Sequence, residues 1–242
     1  MEAARDLPLG HFRHGLAVEA KADESPVTAA DRATETRLRA DIAARFPDHG
    51  IFGEEYGVEG MEADYLWIID PIDGTKSFIS GHPAWGMLLG LLHKGRPLLG
   101  VVQMPALGDL CWGDADGAYL NGRKIEARRG IAPDQAFVLI NELPRILQSE
   151  PEVAARLLAS GRYARASADC YSYVQLAAGW VDGVVDYGLE PYDYLPVLPI
   201  VEAAGCVMTD WQGRPLGFGS DGRVVAGPPE IHRYLLAQIN GA

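Results

Sequence analysis

The chain has 242 residues, 48% of them apolar and 22% charged, an ordinary globular balance that suits one large domain or two smaller ones sharing a core. Its formal charge of −12 repels nucleic acid and anionic membrane surfaces, so neither is expected as a partner. The same charge repels a phosphorylated substrate unless cations are bound, so an acidic protein that handles phosphate needs metal. Cys111, Cys170 and Cys206 are far apart, with no CxxC pair and no His/Cys cluster, and they read as free thiols in a reducing compartment. No leader-like segment opens the chain and no apolar run has transmembrane length, so a cytoplasmic protein is expected.

In chain order, residues 28–46 predict a helix capped by Thr28, with Thr34, Leu38, Ile42 and Phe46 on one face. Residues 65–69 predict a strand that runs into "DPIDGT". Residues 86–92 and 97–103 are apolar runs joined by "HKGR", and 110–113 and 118–120 flank "DADG", so both pairs predict hairpins. From about residue 130 the pattern changes. Residues 137–142, 183–188 and 206–211 predict strands, and 151–160, 170–180, 194–204 and 229–240 predict helices. The expectation is a layered α/β protein with subdomains 1–130 and 131–242, an antiparallel sheet first and a mixed or parallel sheet second.

Four acidic stations punctuate this pattern, each with an ordinary explanation. Asp31 can simply cap its helix. Glu54, in "GIFGEEYG", can belong to a solvated loop. Asp70 and Asp73 can serve a turn, and Asp193 can complement a helix dipole. Their joint occurrence points elsewhere. Hard divalent cations take oxygen ligands, and two-metal sites use bridging carboxylates. One tight turn can aim Asp70, Asp73 and the Ile72 carbonyl into a single cavity. Pro71 stiffens that turn, Gly74 lets the backbone approach a ligand closely, and Thr75 offers a hydroxyl beside it.

Together "GEE", "WIIDPIDGTKSF" and "YDYLPVLPIVEAAG", in this order, resemble the signatures of the inositol monophosphatase family from about residue 10 to the end of the chain. The resemblance implies an αβαβα sandwich of the inositol monophosphatase and fructose-1,6-bisphosphatase type. It implies a lithium-sensitive, Mg²⁺-dependent phosphomonoesterase with two or three ions, acting on a small-molecule phosphate ester, commonly as a homodimer. Glu54, Asp70 and the Ile72 carbonyl would hold a first Mg²⁺, and Asp70, Asp73 and Asp193 a second. Asp31 and Thr75 would pair to orient and deprotonate the attacking water, with Glu54 in the same catalytic set. The Gly74 and Thr75 amides would hold the phosphate, and Lys21 matches a lysine beside the metals.

Within the family, "KADESPVTAADRATE", "SADCYSY" and "GLEPYDY" resemble the histidinol-phosphate phosphatase branch, which acts in histidine biosynthesis. Asp169 and Asp186 are the candidates for meeting the cationic leaving group, since carboxylates favour an amine over a neutral polyol. A helix cap is the alternative for Asp169, and a solvated strand-end acid the alternative for Asp186. An inositol or sugar phosphate remains the rival substrate, and a silent phosphometabolite-binding relative the rival of another class. Cys206 and Glu190 depart from the branch's usual residues. Cys206 predicts a packing change, and Glu190 stands where a basic residue is common.

Overall fold

The structure is a computed structural model that describes residues 1–14, 18–20, 26–167 and 169–241. Its first half runs through α1 (Asp6–His11), β1 (Val18–Ala20), β2 (Pro26–Thr28), α2 (Ala29–Arg45), β3 (Gly50–Gly53), β4 (Gly57–Glu59), β5 (Tyr65–Asp73) and α3 (Thr75–Ser80). It continues through β6 (Gly86–His93), β7 (Arg96–Met104), β8 (Asp109–Asp114), β9 (Gly117–Leu120) and β10 (Arg123–Ile125). The second half holds β11 (Phe137–Ile140), α4 (Leu143–Ser149), α5 (Pro151–Leu158), β12 (Tyr163–Ala166), α6 (Tyr171–Ala177) and β13 (Gly183–Tyr187). It closes with α7 (Pro191–Tyr194), α8 (Leu198–Ala203), β14 (Val207–Asp210), β15 (Arg223–Gly227) and α9 (Pro229–Asn240).

Two large sheets result. The first has eight strands in the order β10-β9-β8-β7-β6-β5-β3-β4, and the second has five in the order β12-β11-β13-β15-β14. The first sheet was expected to be antiparallel, and it is so except where β3 pairs parallel with β5. The second is mixed, with β11 parallel to both neighbours and β15 antiparallel to both of its own. Helices fill the outer and middle layers. Leu38 and Ile42 of α2 pack on Ile51, Trp67 and Ile69. Helices α6 and α8 lie in the core shared by both sheets. Val153 and Leu157 of α5 and Ile231 and Leu235 of α9 cover the far face. That is the expected αβαβα sandwich.

β5 explains why its sequence is apolar without alternation. It is central, so Leu66 and Ile68 enter the middle core while Trp67 and Ile69 enter the core under α2. Phe46 corrects the predicted helix face. It is the residue after α2, 40% exposed, and stacks on His49 instead of extending the buried stripe. The predicted helix 194–204 is two short helices, because Pro196 and Pro199 each remove a backbone donor.

The broken segment between them seats against the first sheet. Gly90, Gly100 and Gly113 are cross-strand partners on β6, β7 and β8. A Cβ at Gly90 would lie 3.1 Å from Pro196 Cα, one at Gly113 would lie 2.5 Å from Ile200 Cα, and one at Gly100 would collide with the Pro196 carbonyl. The three glycines therefore cut a groove for residues 196–200, which fixes the distance of Asp193 from β5. Cys206 is buried in the same core, with its N–H on the Val201 carbonyl. None of the described helices is long and apolar enough to cross a membrane.

Candidate active site

The site begins where β5 loses its regular pairing. Asp70 is opposite Leu88 and Asp73 opposite Gly86, with a register shift between them. Asp70 Oδ1 accepts the Ile72 N–H at 3.0 Å, which folds the chain over Pro71. Gly74 follows in the left-handed region at φ +83° and starts α3. A Cβ there would lie 2.5 Å from the carboxyl carbon of Asp169, so only glycine fits both the turn and its neighbour. The Thr75 hydroxyl donates to the Ile72 carbonyl at 3.2 Å. Asp31 sits at the start of α2, buried, where Oδ2 accepts the Thr28 N–H at 2.8 Å and the Thr28 hydroxyl at 2.6 Å.

Two further carboxylates come from distant sequence. Glu54 lies in the turn after β3, beside β5 through their parallel pairing, and its N–H donates to the Ile69 carbonyl at 3.1 Å. Asp193 is the third residue of α7, and its Oδ2 accepts the Glu190 N–H at 2.7 Å. The Glu190 side chain answers by accepting the Asp193 N–H, a reciprocal capping box. Glu190 therefore orients Asp193, which gives that sequence departure a local structural role.

Asp70, Asp73 and Asp193 each offer an oxygen within 4.8 Å of the others. Burial first, then the charges of Glu54, Asp73 and Asp193, push the Asp70 carboxyl well above the usual carboxylate range. Burial, then Asp169 and Asp193, does the same to Asp73. Burial pushes Asp193 up to about 8, against the lowering bond from the Glu190 amide. A divalent cation would offset the mutual repulsion of these buried carboxylates, and an all-oxygen donor set of this kind suits Mg²⁺ rather than zinc. The residues present therefore fit a magnesium centre.

A cavity of about 300 Å³ opens beside the cluster, lined by Glu54, Asp73, Gly74, Thr75 and Asp193. Asp169 and Asp186 line it too. Asp186 is 2% exposed, so it is not a solvated strand-end acid. It accepts from Asn141 Nδ2 at 2.7 Å, from the Tyr173 hydroxyl at 3.0 Å and from the Tyr187 N–H at 2.9 Å. Burial raises it to about 7 while those three bonds oppose the shift. Asp169 caps no helix with its side chain. Cys170 occupies the cap position, and Asp169 Oδ2 instead accepts the Ser77 hydroxyl at 2.5 Å. Its backbone is left-handed at φ 61°, an uncommon conformation for a non-glycine residue.

Glu54, Asp73, Gly74, Thr75, Asp169, Asp186 and Asp193 thus meet at one cavity, while Asp70 and Ile72 are buried in the turn that leads to Asp73 and are not part of its lining. Asp31 lies at the start of α2 and is not part of the lining, and Lys21 lies outside the described residues. Sequence reasoning missed Asn141 and Glu142, which also line the cavity. Glu142 receives an ion pair from Lys76 at 3.0 Å. Reading 137–142 wholly as strand hid them. The strand ends at Ile140, and side chains just beyond the carboxyl ends of strands are where such sheets place ligand-binding groups.

A layered α/β fold with a crowded carboxylate cluster beside a cavity is built for metal-dependent chemistry on an anionic ester. The model of the inositol monophosphatase family matches residues 3–242. The histidinol-phosphatase of Chlorobaculum parvum is 38% identical, over 98% of this chain and 93% of its own length. The bifunctional phosphatase IMPL2 of Arabidopsis thaliana is 37% identical, over 98% of this chain and 72% of its own. The structure of an inositol monophosphatase from Zymomonas mobilis superposes with a TM-score of 0.88 at 36% identity, covering 99% of this chain and 94% of that one. The chain belongs to the inositol monophosphatase family, whose members are metal-dependent phosphoric monoester hydrolases.

Proposed function

We propose that the protein hydrolyses L-histidinol phosphate to L-histidinol and phosphate, using two or three Mg²⁺ ions. Glu54, Asp70, Asp73 and Asp193 would hold the ions, together with the Ile72 carbonyl. When bound, Mg²⁺ neutralises phosphate charge, makes a water nucleophilic near neutral pH and stabilises the leaving oxygen. The chain's own groups do the rest. Asp31 and Thr75 would orient the attacking water, with the Asp31 carboxylate as the group that takes its proton, and the Gly74 and Thr75 amides would hold the phosphate oxygens.

The observation that carries the substrate assignment is Asp169. It is a carboxylate on the cavity wall, bound through one oxygen to Ser77 and pressed against the phosphate-seat Gly74. A leaving group departing from a phosphate on Gly74 passes this side chain, and an ammonium there gains a charge-assisted hydrogen bond that a polyol cannot match. Asp186 already accepts three hydrogen bonds, two of them on Oδ2, so its part is mainly to shape the pocket and the local field, and Asp169 is the freer partner for the amine. The 38% identity to a histidinol-phosphatase supports the same reading.

Asp169→Asn keeps the shape and loses the charge. Hydrogen bonds to charged groups contribute roughly 1.5–3 kcal/mol, so kcat/KM for L-histidinol phosphate is expected to fall about 10- to 100-fold, with little change for inositol-1-phosphate. The ratio of the two specificity constants is the measurement. An equal loss on both esters would remove the substrate assignment. The likeness to the Zymomonas mobilis enzyme favours inositol phosphate as the second reading, and that reading predicts the equal loss.

A further inference from the structure

Helix α2 carries Glu35 one turn after Asp31. Its side chain is fully buried, a costly place for a carboxylate unless every oxygen is used. Oε2 accepts the Glu55 N–H at 2.7 Å. Oε1 accepts the Tyr56 N–H at 3.3 Å and Arg39 Nε at 2.7 Å. Arg39 in turn reaches over to the Gly57 carbonyl. The residue before these amides is Glu54, whose own N–H is tied to Ile69 on β5. Three consecutive amides are therefore fixed, one to β5, the strand that carries Asp70 and Asp73, and two to Glu35. Gly53 completes the fit, since a Cβ there would collide with the Glu35 carboxylate.

The segment before the turn is held in the sheet by β5 on one side and β4 on the other, and Glu54 by its N–H on Ile69; Glu35 adds the two bonds that fix the amides directly after Glu54. Glu35 is not among the residues that line the cavity, so it acts through the backbone and not on a substrate. We propose that Glu35, backed by Arg39, is a positioning residue that fixes the Glu54 turn for cation binding. The helix that carries Asp31 then also fixes the Glu54 turn, through a carboxylate clamp. The inference rests on the reading of Glu54 as a metal ligand.

The test titrates Mn²⁺ into full-length Glu35→Gln, Arg39→Gln and Glu54→Gln, reading free ion by electron paramagnetic resonance and fold by thermal melting. Groups that orient a metal ligand are typically worth about 10- to 100-fold in metal affinity. Glu35→Gln should lose ion affinity in that range, Arg39→Gln should lose less, and excess Mg²⁺ should return most of kcat to Glu35→Gln. A purely structural Glu35 would lower the melting temperature and leave ion affinity in the folded protein unchanged, and that result overturns the proposal. If Glu35→Gln does not fold, wild-type affinity in Arg39→Gln overturns it. Wild-type affinity in Glu54→Gln would remove the ligand reading itself, whereas weak binding there with normal binding in Glu35→Gln would remove only the clamp.

Discussion

Asp70→Asn is expected to lower phosphate release at least about a thousandfold, because in the proposed site Asp70 would be shared by two ions, such a ligand would supply several kcal/mol of charge stabilisation, and each 1.4 kcal/mol is tenfold in rate. Asp70 is the hinge of the cluster. It is buried, faces Glu54, Asp73 and Asp193, and also accepts the Ile72 N–H that shapes the turn. The amide can still accept from Ile72, so the turn should survive while the charge is lost. The variant should also behave oppositely in stability. In EDTA the wild-type cluster is repulsive, and removing one carboxylate relieves it, so metal-free Asp70→Asn should melt higher than metal-free wild type. Adding Mg²⁺ should raise the melting temperature of wild type far more than that of the variant. Near-normal turnover in Asp70→Asn, or an equal rise with Mg²⁺, would contradict the cluster's role.

Gly74→Ala is the second large effect, and it acts through shape alone. The left-handed backbone at φ +83° costs a residue with a Cβ about 1–2 kcal/mol. The added carbon would also lie 2.5 Å from the Asp169 carboxyl carbon, so Asp169 must move and its Ser77 bond must stretch. The same displacement would disturb the proposed phosphate seat and the proposed leaving-group wall together. A misplacement of about 1 Å can cost roughly 10²-fold, so kcat/KM should fall by at least that factor on every ester. Metal affinity should stay close to wild type, because the carboxylates themselves are untouched. A Gly74→Ala enzyme with normal activity would mean that the chain does not use this close approach.

The parts of the site carried by contiguous residues were legible in the sequence. Asp70, Ile72, Asp73, Gly74 and Thr75 sit within one turn, so their convergence needs only local geometry. Asp31 was legible as a cap because Thr28 and Asp31 form a capping box three residues apart. What escaped depends on contacts between distant segments. Gly90, Gly100 and Gly113 are unremarkable until the register of three strands aligns them under Pro196 and Ile200. Glu35 looks like one more charge on a helix until the turn after β3 folds onto it. Strands β12 and β15 went unread because pairing, not apolar pattern, defines the first, which is largely exposed, and because β15 follows a loop of glycines and turn residues. Asp186 was legible as a candidate for the leaving group, and of its two readings the solvated strand-end acid is the one the packing removes, since Tyr173 of α6 lies over it.

The account turns on one assay: phosphate release by the purified chain with L-histidinol phosphate and inositol-1-phosphate side by side, in Mg²⁺ buffer and again with EDTA. The account predicts rapid release from L-histidinol phosphate, much slower release from inositol-1-phosphate, and loss of both with EDTA. Comparable rates on the two esters, or a preference for the inositol ester, would contradict the substrate assignment, and release that persists in EDTA would contradict the metal centre.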